Sequence, residues 1–307
     1  MGLEITVTHL TRMSGNRICV AGITDDVEFV RPDCAGYLRR NDVPSLFEIG
    51  ARVDLGRVKR VPSAPQLENV TFRRSMATRV GTASTWELRE LLRASAVGRV
   101  DDVLGDALAQ THTGSVYVEP GRGTASLGTI TVDACAFELR KDSYGKLRSY
   151  WTDAGRGSLQ PAVTDLRLYP NGSTLDDGAL ADLIDECEGC DELFLSVGLT
   201  KDWDQNPGHW LQLNNILPFR RPKRVRLPKA TAKGWPRHTP EQLASLQVNH
   251  PAAIAKYPRA WAPWNDAEDQ ALIDAFERGE NTKVIAERHE RKPGAIRSRL
   301  KKLGLIE

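Results

Sequence analysis

Residues 264–307 read WNDAEDQALIDAFERGENTKVIAERHERKPGAIRSRLKKLGLIE and predict three short helices joined by two turns. Asn265 and Glu268 have the three-residue spacing of a capping box, which marks the start of the first helix. Pro293 suits the first turn of the third helix. The apolar stripe of that helix is formed by Ile296, Leu300 and Leu303. The stretch therefore predicts a small, separate helical domain.

Charge is divided unevenly within this domain. Residues 265–280 contain six acidic side chains and one basic, whereas residues 281–306 contain eight basic and two acidic. If the apolar stripe of the third helix faces inward, its cations face outward together. The expected contact residues of the helix and of the turn before it are Arg291, Lys292, Arg297, Ser298, Lys301 and Lys302. Such a face can enter a major groove and hold phosphates, although a merely solvated face is the alternative.

Three parts of this domain carry a resemblance to a known family. The opening Trp264, the acidic run 266–269 and the closing residues 291–306 resemble the Myb/SANT-like helix-turn-helix tails of bacterial proteins. The match covers about a seventh of the chain, and we assign the domain to residues 261–307. It implies a nucleic-acid-binding tail, for which we expect duplex DNA as the ligand, but it implies no base sequence.

A basic segment precedes the helical domain, and we assign residues 220–260 to a linker. Residues 218–240 contain eight Lys or Arg, five prolines and no acidic residue, which favours extended chain. Its first cations are Arg220, Arg221, Lys223, Arg224 and Arg226. We expect these cations to contact phosphates and to make binding sensitive to salt, while a solubilising spacer is the alternative.

The chain upstream of the linker reads as short strands separated by turns. Strands are predicted at residues 3–9, 17–23, 27–32, 52–61, 115–120, 127–140, 164–169, 192–200 and 209–219. Helices are predicted at residues 84–96, 100–110 and 175–188. The predicted fold class is therefore mainly β with α.

The strand sequences carry a second resemblance. RICVAGI and VEFVRP early in the chain, with TDLRLY, ELFLSVGLTK and HWLQLNNI later, resemble the dual OB-fold domain of bacterial genomes. The resemblance implies two tandem OB-like barrels before the helix-turn-helix domain. The first, with a helical insertion, would occupy residues 1–110 and the second residues 111–219. It also implies nucleic-acid binding, an accessory or recognition role in phage defence or DNA modification, and no catalytic machinery.

OB barrels bind single strands through a basic groove with aromatic stacking platforms. We therefore expect Arg31, Arg148 and Trp151 to contact a single-stranded nucleic acid. For Arg31, which lies within a family-like motif, a structural role is the alternative. A glycine-rich hairpin region gathers most of the other candidates. These are Lys141, Lys146, Tyr150 and Arg156.

The motifs of common catalytic sites are missing. There is no G-x-x-x-x-G-K-[ST], H-E-x-x-H or G-x-S-x-G, and the six histidines are scattered. Cys187 and Cys190 form one C-x-x-C without a second pair, so we expect no metal and no other cofactor. A non-enzymatic protein is expected. The enzymatic alternative is a cryptic nucleic-acid-processing site that uses Asp25 or Asp153.

Composition limits the remaining classes. The 307 residues have a net charge of only +2, so any nucleic-acid site must be local. The absence of a run of 18 apolar residues and of a signal pattern predicts a cytoplasmic protein without a membrane partner. A second functional class is an adaptor whose barrels bind a protein partner in a defence or modification complex.

Overall fold

The structure is a computed structural model in which the chain divides into two compact units, Met1–Arg220 and Arg221–Glu307. It describes residues 2–34, 37–43, 46–202, 207–220, 251–277, 280–303 and 305–306, with side chains described throughout except at 251–253 and 277. Each unit has its own buried apolar core. The described chain is mainly β with some helices, as the sequence predicts.

The first unit begins with a seven-stranded sheet. Its strands are β1 (Glu4–Arg12), β2 (Ile18–Ile23), β3 (Phe29–Asp33), β4 (Ala51–Asp54), β5 (Lys59–Arg60), β6 (Asn69–Thr71) and β7 (Thr78–Thr82). Their order is β5-β6-β3-β2-β1-β4-β7, and every pair is antiparallel except β3 with β6. β1 is buried on both faces over most of its length, because it lies between this sheet's core and the rest of the unit.

A ten-stranded sheet makes up the remainder of the first unit. Its strands are β8 (Ala96–Val97), β9 (Leu108–Gln110), β10 (Val116–Val118), β11 (Leu127–Val132), β12 (Glu138–Lys141), β13 (Leu147–Asp153), β14 (Gly157–Leu159), β15 (Ala162–Val163), β16 (Glu192–Leu199) and β17 (His209–Phe219). The central path runs β12-β13-β15-β17-β16-β11-β8. The change of sheet thus falls between β7 and β8, upstream of residue 110. Among the described strands, no pairing closes either sheet into a barrel.

Three helices accompany these sheets: α1 (Thr85–Ser95), α2 (Val100–Leu104) and α3 (Asp177–Glu188). α1 begins as predicted, because Ser84 accepts a hydrogen bond from the Glu87 amide and the Glu87 carboxylate accepts one from the Ser84 amide. Its buried face, Leu88 and Leu92, packs against apolar side chains of the second sheet, Phe194, Leu217 and Phe219. The capping box and the apolar stripe therefore fix both the start of α1 and its orientation.

Buried polar groups join the two sheets. The Asn215 Oδ1 accepts from the Leu10 amide at 2.6 Å, and the Asn215 Nδ2 donates to the Leu10 carbonyl at 3.4 Å. Beside it, Ser196 Oγ donates to the Thr8 carbonyl at 2.8 Å. His9 lies 3.2 Å through Nε2 from the Gly128 carbonyl. These polar groups are buried, and their hydrogen bonds offset the free-energy cost of removing them from water.

The described part of the second unit contains α4 (Pro251–Lys256), α5 (Asp266–Glu277), α6 (Thr282–Arg288) and α7 (Pro293–Lys302). The last three share a buried core whose members are Leu272, Ala275, Ile285, Ala286, Ile296, Leu300 and Leu303. Asn265 Oδ1 accepts from the Glu268 amide at 2.8 Å, and Asn281 Oδ1 accepts from the Lys283 amide at 2.9 Å. α7 begins at Pro293, so the predicted starts of α5 and α7 are confirmed.

One predicted helix is correct only in its first half. Residues 100–110 form α2 and then β9 instead of a single helix. Gly105 ends α2 with a φ of 80°, a left-handed backbone that interrupts helical hydrogen bonding. The sequence also predicts a short helix at residues 240–248 of the linker, and these lie outside the described residues.

Three predicted strands also differ. Residues 52–61 are divided between β4 and β5. The other two contain 3₁₀ helices. Within residues 164–169 the helix is Leu166–Leu168, because the Asp165 side chain accepts from the Arg167 amide at 3.1 Å and caps it. The strand predicted over 127–140 is interrupted by another 3₁₀ helix, capped by Asp133, so that β11 and β12 become separate strands. In both places a local side-chain hydrogen bond of an aspartate competes with the sheet.

Candidate nucleic-acid interface

The outward face of α7 is cationic. Ile296 and Leu300 are buried, whereas Arg297, Ser298 and Lys301 are exposed. The exposed set also includes Gly294 and Lys302. These positions are separated by three or four residues, so they lie on one side of the helix with neighbouring Cβ atoms about 5–6 Å apart.

Arg291 does not belong to that face. It is only 2% exposed, and its guanidinium is enclosed by the segment before α5. The Nε and Nη2 atoms donate to the two carboxylate oxygens of Glu268 at 2.7 and 3.0 Å. The remaining N–H groups donate to the carbonyls of Arg259 (3.0 Å), Ala262 (2.8 Å) and Pro263 (3.1 Å). All five donors are used, so Arg291 is a structural residue and is withdrawn from the contact set.

An aromatic ring covers this buried pair. The Arg291 guanidinium carbon lies 4.2 Å from the centroid of the Trp264 ring, which also contacts His289 at 5.8 Å between centroids. Burial lowers the pKa of His289, against the opposing effect of Glu268, whose Oε1 is 3.9 Å from the histidine Nδ1. Trp264 therefore forms part of the packing that fixes the turn between α6 and α7.

Carboxylates of α5 and of the residue Glu280 after it neutralise part of the tail's positive charge. Arg299 pairs with Asp269, with Nε donating to Oδ1 at 2.6 Å, and Arg288 lies 2.7 Å from Glu280. In contrast, neither Arg297 nor Lys301 forms an ion pair with any described residue. The charges that remain available are thus concentrated on the exposed side of α7.

Lys292 is exposed at the turn before α7. Its Nζ lies 5.1 Å from the centroid of the Trp261 ring, a cation–π distance. Trp261 has a φ of 64°, which is unusual for a bulky side chain. This contact places Lys292 at the N-terminal end of the cationic face.

Of the linker cations, Arg220 is described. Its Nη2 donates to the Asp185 carbonyl at 2.6 Å, which holds the side chain at the C-terminal end of α3. Arg221, Lys223, Arg224 and Arg226 lie outside the described residues, so their expected phosphate contacts stay predictions.

Two candidates in the first unit are buried. Arg31 is 8% exposed, forms an ion pair with Glu68 at 3.4 Å and donates to the Ser126 carbonyl at 3.4 Å. Trp151 is 3% exposed within the apolar core. Their side chains have no surface for a ligand, so both are withdrawn from the contact set. Arg31 instead holds the two sheets together, which was its structural alternative.

Arg148 lies on the β12–β13 hairpin, together with Arg140 and Tyr144, two residues that the sequence did not single out. Its Nε donates to Asp142 Oδ2 at 3.1 Å. The register of the hairpin places Arg148 directly opposite Arg140, whose guanidinium stacks 3.9 Å from the Tyr150 ring centroid. Tyr144, at the tip, is 86% exposed. The signal for this tip was the turn sequence Asp-Ser-Tyr-Gly, which places an aromatic between two turn-forming residues.

Of the residues named for enzymatic or metal chemistry, Asp153 and Cys187 are buried, whereas Asp25 is exposed. Asp153 is buried and accepts hydrogen bonds from the amides of Val100 (2.9 Å), Gly155 (2.8 Å) and Arg156 (3.1 Å). Burial raises the pKa of the Cys187 thiol to about 12. Within the part of the chain that the structure describes, no group of three or more His, Cys, Asp or Glu side chains is placed to hold a metal ion.

A comparison with protein-family models finds no match for this chain, and neither does a comparison with curated proteins. The family resemblances of the sequence therefore stay predictions. Among the described helices, none combines the length and apolar character that a bilayer crossing requires.

Proposed function

We propose that this chain is a non-enzymatic nucleic-acid-binding protein that contacts duplex DNA through α7. The observation that carries the proposal is the exposed face of that helix, where Arg297 and Lys301 have no ion pair among the described residues. A helix with free cations on one side matches the width of a B-form major groove and the charge of its phosphate edges.

The charge pairing around α7 supports this function over a merely solvated surface. Asp269 of α5 pairs with the half-buried Arg299 on the inner side of α7, whereas Arg297 and Lys301 on its outer side have no ion pair among the described residues. The outer cations are left in water, where they can exchange counterions for phosphates. Ser298 lies between them and can donate a hydrogen bond to a phosphate or a base edge.

The finer architecture belongs to the same proposal. We assign residues 261–307 as a helix-turn-helix domain and the first unit as two OB-like modules. Support for the first comes from the shared core of α5, α6 and α7. Support for the second comes from the two separate apolar clusters of the first unit. An accessory role in DNA modification or defence rests on the sequence resemblance alone.

Replacing Arg297 and Lys301 together by alanine tests the proposal. Both side chains are exposed, so the substitution should leave folding intact. We expect weaker binding to a 30-base-pair duplex and a smaller salt dependence. Two lost phosphate contacts reduce the slope of log affinity against log salt by about 1.8. The measurement is fluorescence anisotropy of labelled duplex with the full chain between 50 and 200 mM salt.

The matched control removes two cations elsewhere. Arg57 and Lys59 are exposed in the first unit, so the change Arg57→Ala with Lys59→Ala alters net charge equally. This control should retain duplex affinity. If both double variants bound duplex equally weakly, the loss of affinity would be due to net charge and not to α7. If the α7 variant bound duplex as tightly as the unchanged chain, the proposal would be wrong. A duplex RNA of the same sequence should bind more weakly, because its deep major groove excludes a helix.

A second candidate function is a protein-binding adaptor, and one observation favours it. β7 stands at the end of the first sheet's strand order, with no described strand on its outer side. Val80 on β7 is 54% exposed and nearby Met76 is 58% exposed. An extended segment of a partner can add to such an edge. A partner retained after nuclease treatment and lost with Val80→Lys would favour this function, whereas a partner unaffected by the lysine would count against it.

A further inference from the structure

The β12–β13 hairpin presents an exposed aromatic ring on a rigid turn. Asp142 Oδ1 accepts from the amides of both Tyr144 and Lys146 at 2.9 Å. The Asp142 amide donates to the Lys146 carbonyl at 2.8 Å, and Gly145 supplies the left-handed residue with a φ of 73°. Hydrogen bonds from these amides, led by that of Lys146, lower the pKa of Asp142, so the cap stays ionised near neutral pH. The tip is therefore preorganised.

The fold itself gains little from Tyr144. The side chain is 86% exposed and forms no hydrogen bond or ring contact with any described residue; the hydrogen bond to Asp142 comes from the backbone amide. The same turn would form with a small polar residue at this position, which is the usual choice. A large ring held in water on a fixed turn is instead suited to a flat ligand, because little conformational entropy is lost when the ligand stacks on it.

The charges beside the ring select an anionic ligand. Residues 138–150 contain four basic side chains and two acidic. Arg140 and Arg148 lie directly opposite each other across the two strands, and each has one carboxylate partner on the hairpin, Glu138 at 3.8 Å and Asp142 at 3.1 Å. The exposed Lys146 forms no ion pair with any described residue. Because the hairpin holds two more cations than carboxylates, an anion placed over this surface would supply the missing partner of Lys146.

The surroundings distinguish between two classes of anion. In a protein–protein interface, an aromatic anchor is usually surrounded by apolar contacts. The residues flanking the Tyr144 ring are instead polar or charged, and the nearby apolar Leu147 is buried. A single-stranded nucleic acid presents flat bases and phosphates at regular intervals. Bases stack on exposed aromatic side chains, while cations track the backbone.

We infer that the β12–β13 hairpin is a binding surface for single-stranded nucleic acid, with a base stacked on Tyr144 and phosphates held by Lys146, Arg140 and Arg148. The inference rests on the proposed function for the ligand class, but it concerns a different unit of the chain from α7. Tyr150 acts indirectly, because its ring fixes the Arg140 guanidinium at 3.9 Å from the ring centroid.

The test compares Tyr144→Ala with Tyr144→Phe in the full chain. The probes are labelled 30-nucleotide oligo-dT and oligo-U, followed by fluorescence anisotropy. Removal of one stacking partner should weaken binding to the preferred strand by roughly fivefold to a hundredfold. Tyr144→Phe keeps the ring and should retain the affinity. Tyr37→Ala, which removes a tyrosine that is 49% exposed in the segment between β3 and β4, should also leave it unchanged.

The variants separate this inference from the proposed function. Tyr144→Ala should leave duplex affinity unchanged, whereas Arg297→Ala with Lys301→Ala should lower duplex affinity and spare the single strands. Duplex binding through α7 with no effect of Tyr144→Ala on either strand would overturn the hairpin assignment alone. Loss of binding to polyglutamate by Tyr144→Ala, with oligonucleotide affinity intact, would assign the hairpin to an acidic protein and also overturn it.

Discussion

Replacement of Arg291 by methionine should destabilise the second unit strongly. Methionine keeps an unbranched apolar stem but removes all five N–H donors. The carbonyls of Arg259, Ala262 and Pro263 then lose a hydrogen bond each. Glu268 retains one cationic partner, since Arg259 Nη2 lies 3.0 Å from its Oε2. The Arg259 carbonyl keeps the hydrogen bond from the Ala262 amide at 3.2 Å. The lesion is thus a buried, partly paired carboxylate beside two carbonyls that have lost their donor.

The magnitude follows from the burial of the pair. Removing one partner of a buried ion pair costs about 3–5 kcal/mol, and the remaining Arg259 contact favours the lower value. Loss of the cation–π contact with Trp264 adds about 1 kcal/mol. We expect the free energy of unfolding of the second unit to fall by about 4 kcal/mol, a large fraction of the stability of an ordinary domain.

Native-state hydrogen exchange resolves this loss by region. Amides in α5, α6 and α7 should show opening free energies lowered by about 4 kcal/mol, while amides in β1 and β16 keep theirs. Arg297→Met is the control, because it makes the same chemical change at an exposed position of the same unit. A decrease below about 1 kcal/mol for Arg291→Met would refute the reasoning. The double change Glu268→Met with Arg291→Met should recover part of the loss, since no buried charge then remains.

Burial lowers the pKa of His9 from 6.5 to about 4. Between those pH values the unfolded chain therefore binds one more proton than the folded chain. The free energy of unfolding of the first unit should fall by on the order of 3 kcal/mol as the pH drops from 6.5 to 4. Urea titrations at several pH values should show this component missing in His9→Gln, and an identical pH dependence in the variant would contradict the assignment. Ser84→Ala removes the cap of α1 and should lower thermal stability by about 1 kcal/mol, against almost no change for the exposed Ser158→Ala. Gly294→Ala should stabilise α7 by about 0.5–1 kcal/mol, because a Cβ there meets no atom within 4 Å; a loss of stability by urea unfolding would show that the helix is packed differently.

The tail was the most predictable part of the chain. Its helix starts depend on local chemistry, namely Asn265, Asn281 and Pro293, and its inner face depends on the spacing of Ile296 and Leu300. Both signals lie within a few residues along the chain, so they can be recognised without knowledge of distant contacts. The exposed positions of α7 followed directly from the same periodicity.

The errors arise where partners distant in the sequence determine whether a side chain is buried. Arg291 is separated by 23 residues from Glu268, and nothing in the local sequence indicates that the two side chains meet in the interior. Arg31 is likewise buried by partners from another part of the chain, Glu68 and Ser126. A basic residue in a basic segment is ordinarily exposed, and only the three-dimensional pairing overturns that expectation.

Trp151 illustrates an error that could have been avoided from the sequence alone. Leu147, Ser149, Trp151 and Asp153 alternate along β13, and all four are buried. Period-two spacing places Trp151 on the same face as Leu147, away from Arg148 and Tyr150. Recognition of β13 as a strand would have divided the candidates correctly into an inner and an outer set.

The hydrogen bonds between Asn215 and residue 10, which join the two sheets, do not depend on the side chain at position 10. The amide group of Asn215 pairs with the backbone N–H and C=O of residue 10, as a neighbouring strand would. Mutational tolerance should therefore be asymmetric: other apolar residues at position 10 preserve the contact, whereas few substitutions at 215 supply both a donor and an acceptor. A designer who replaced the first sheet with a foreign one would need to match its backbone path, not its sequence, at this point.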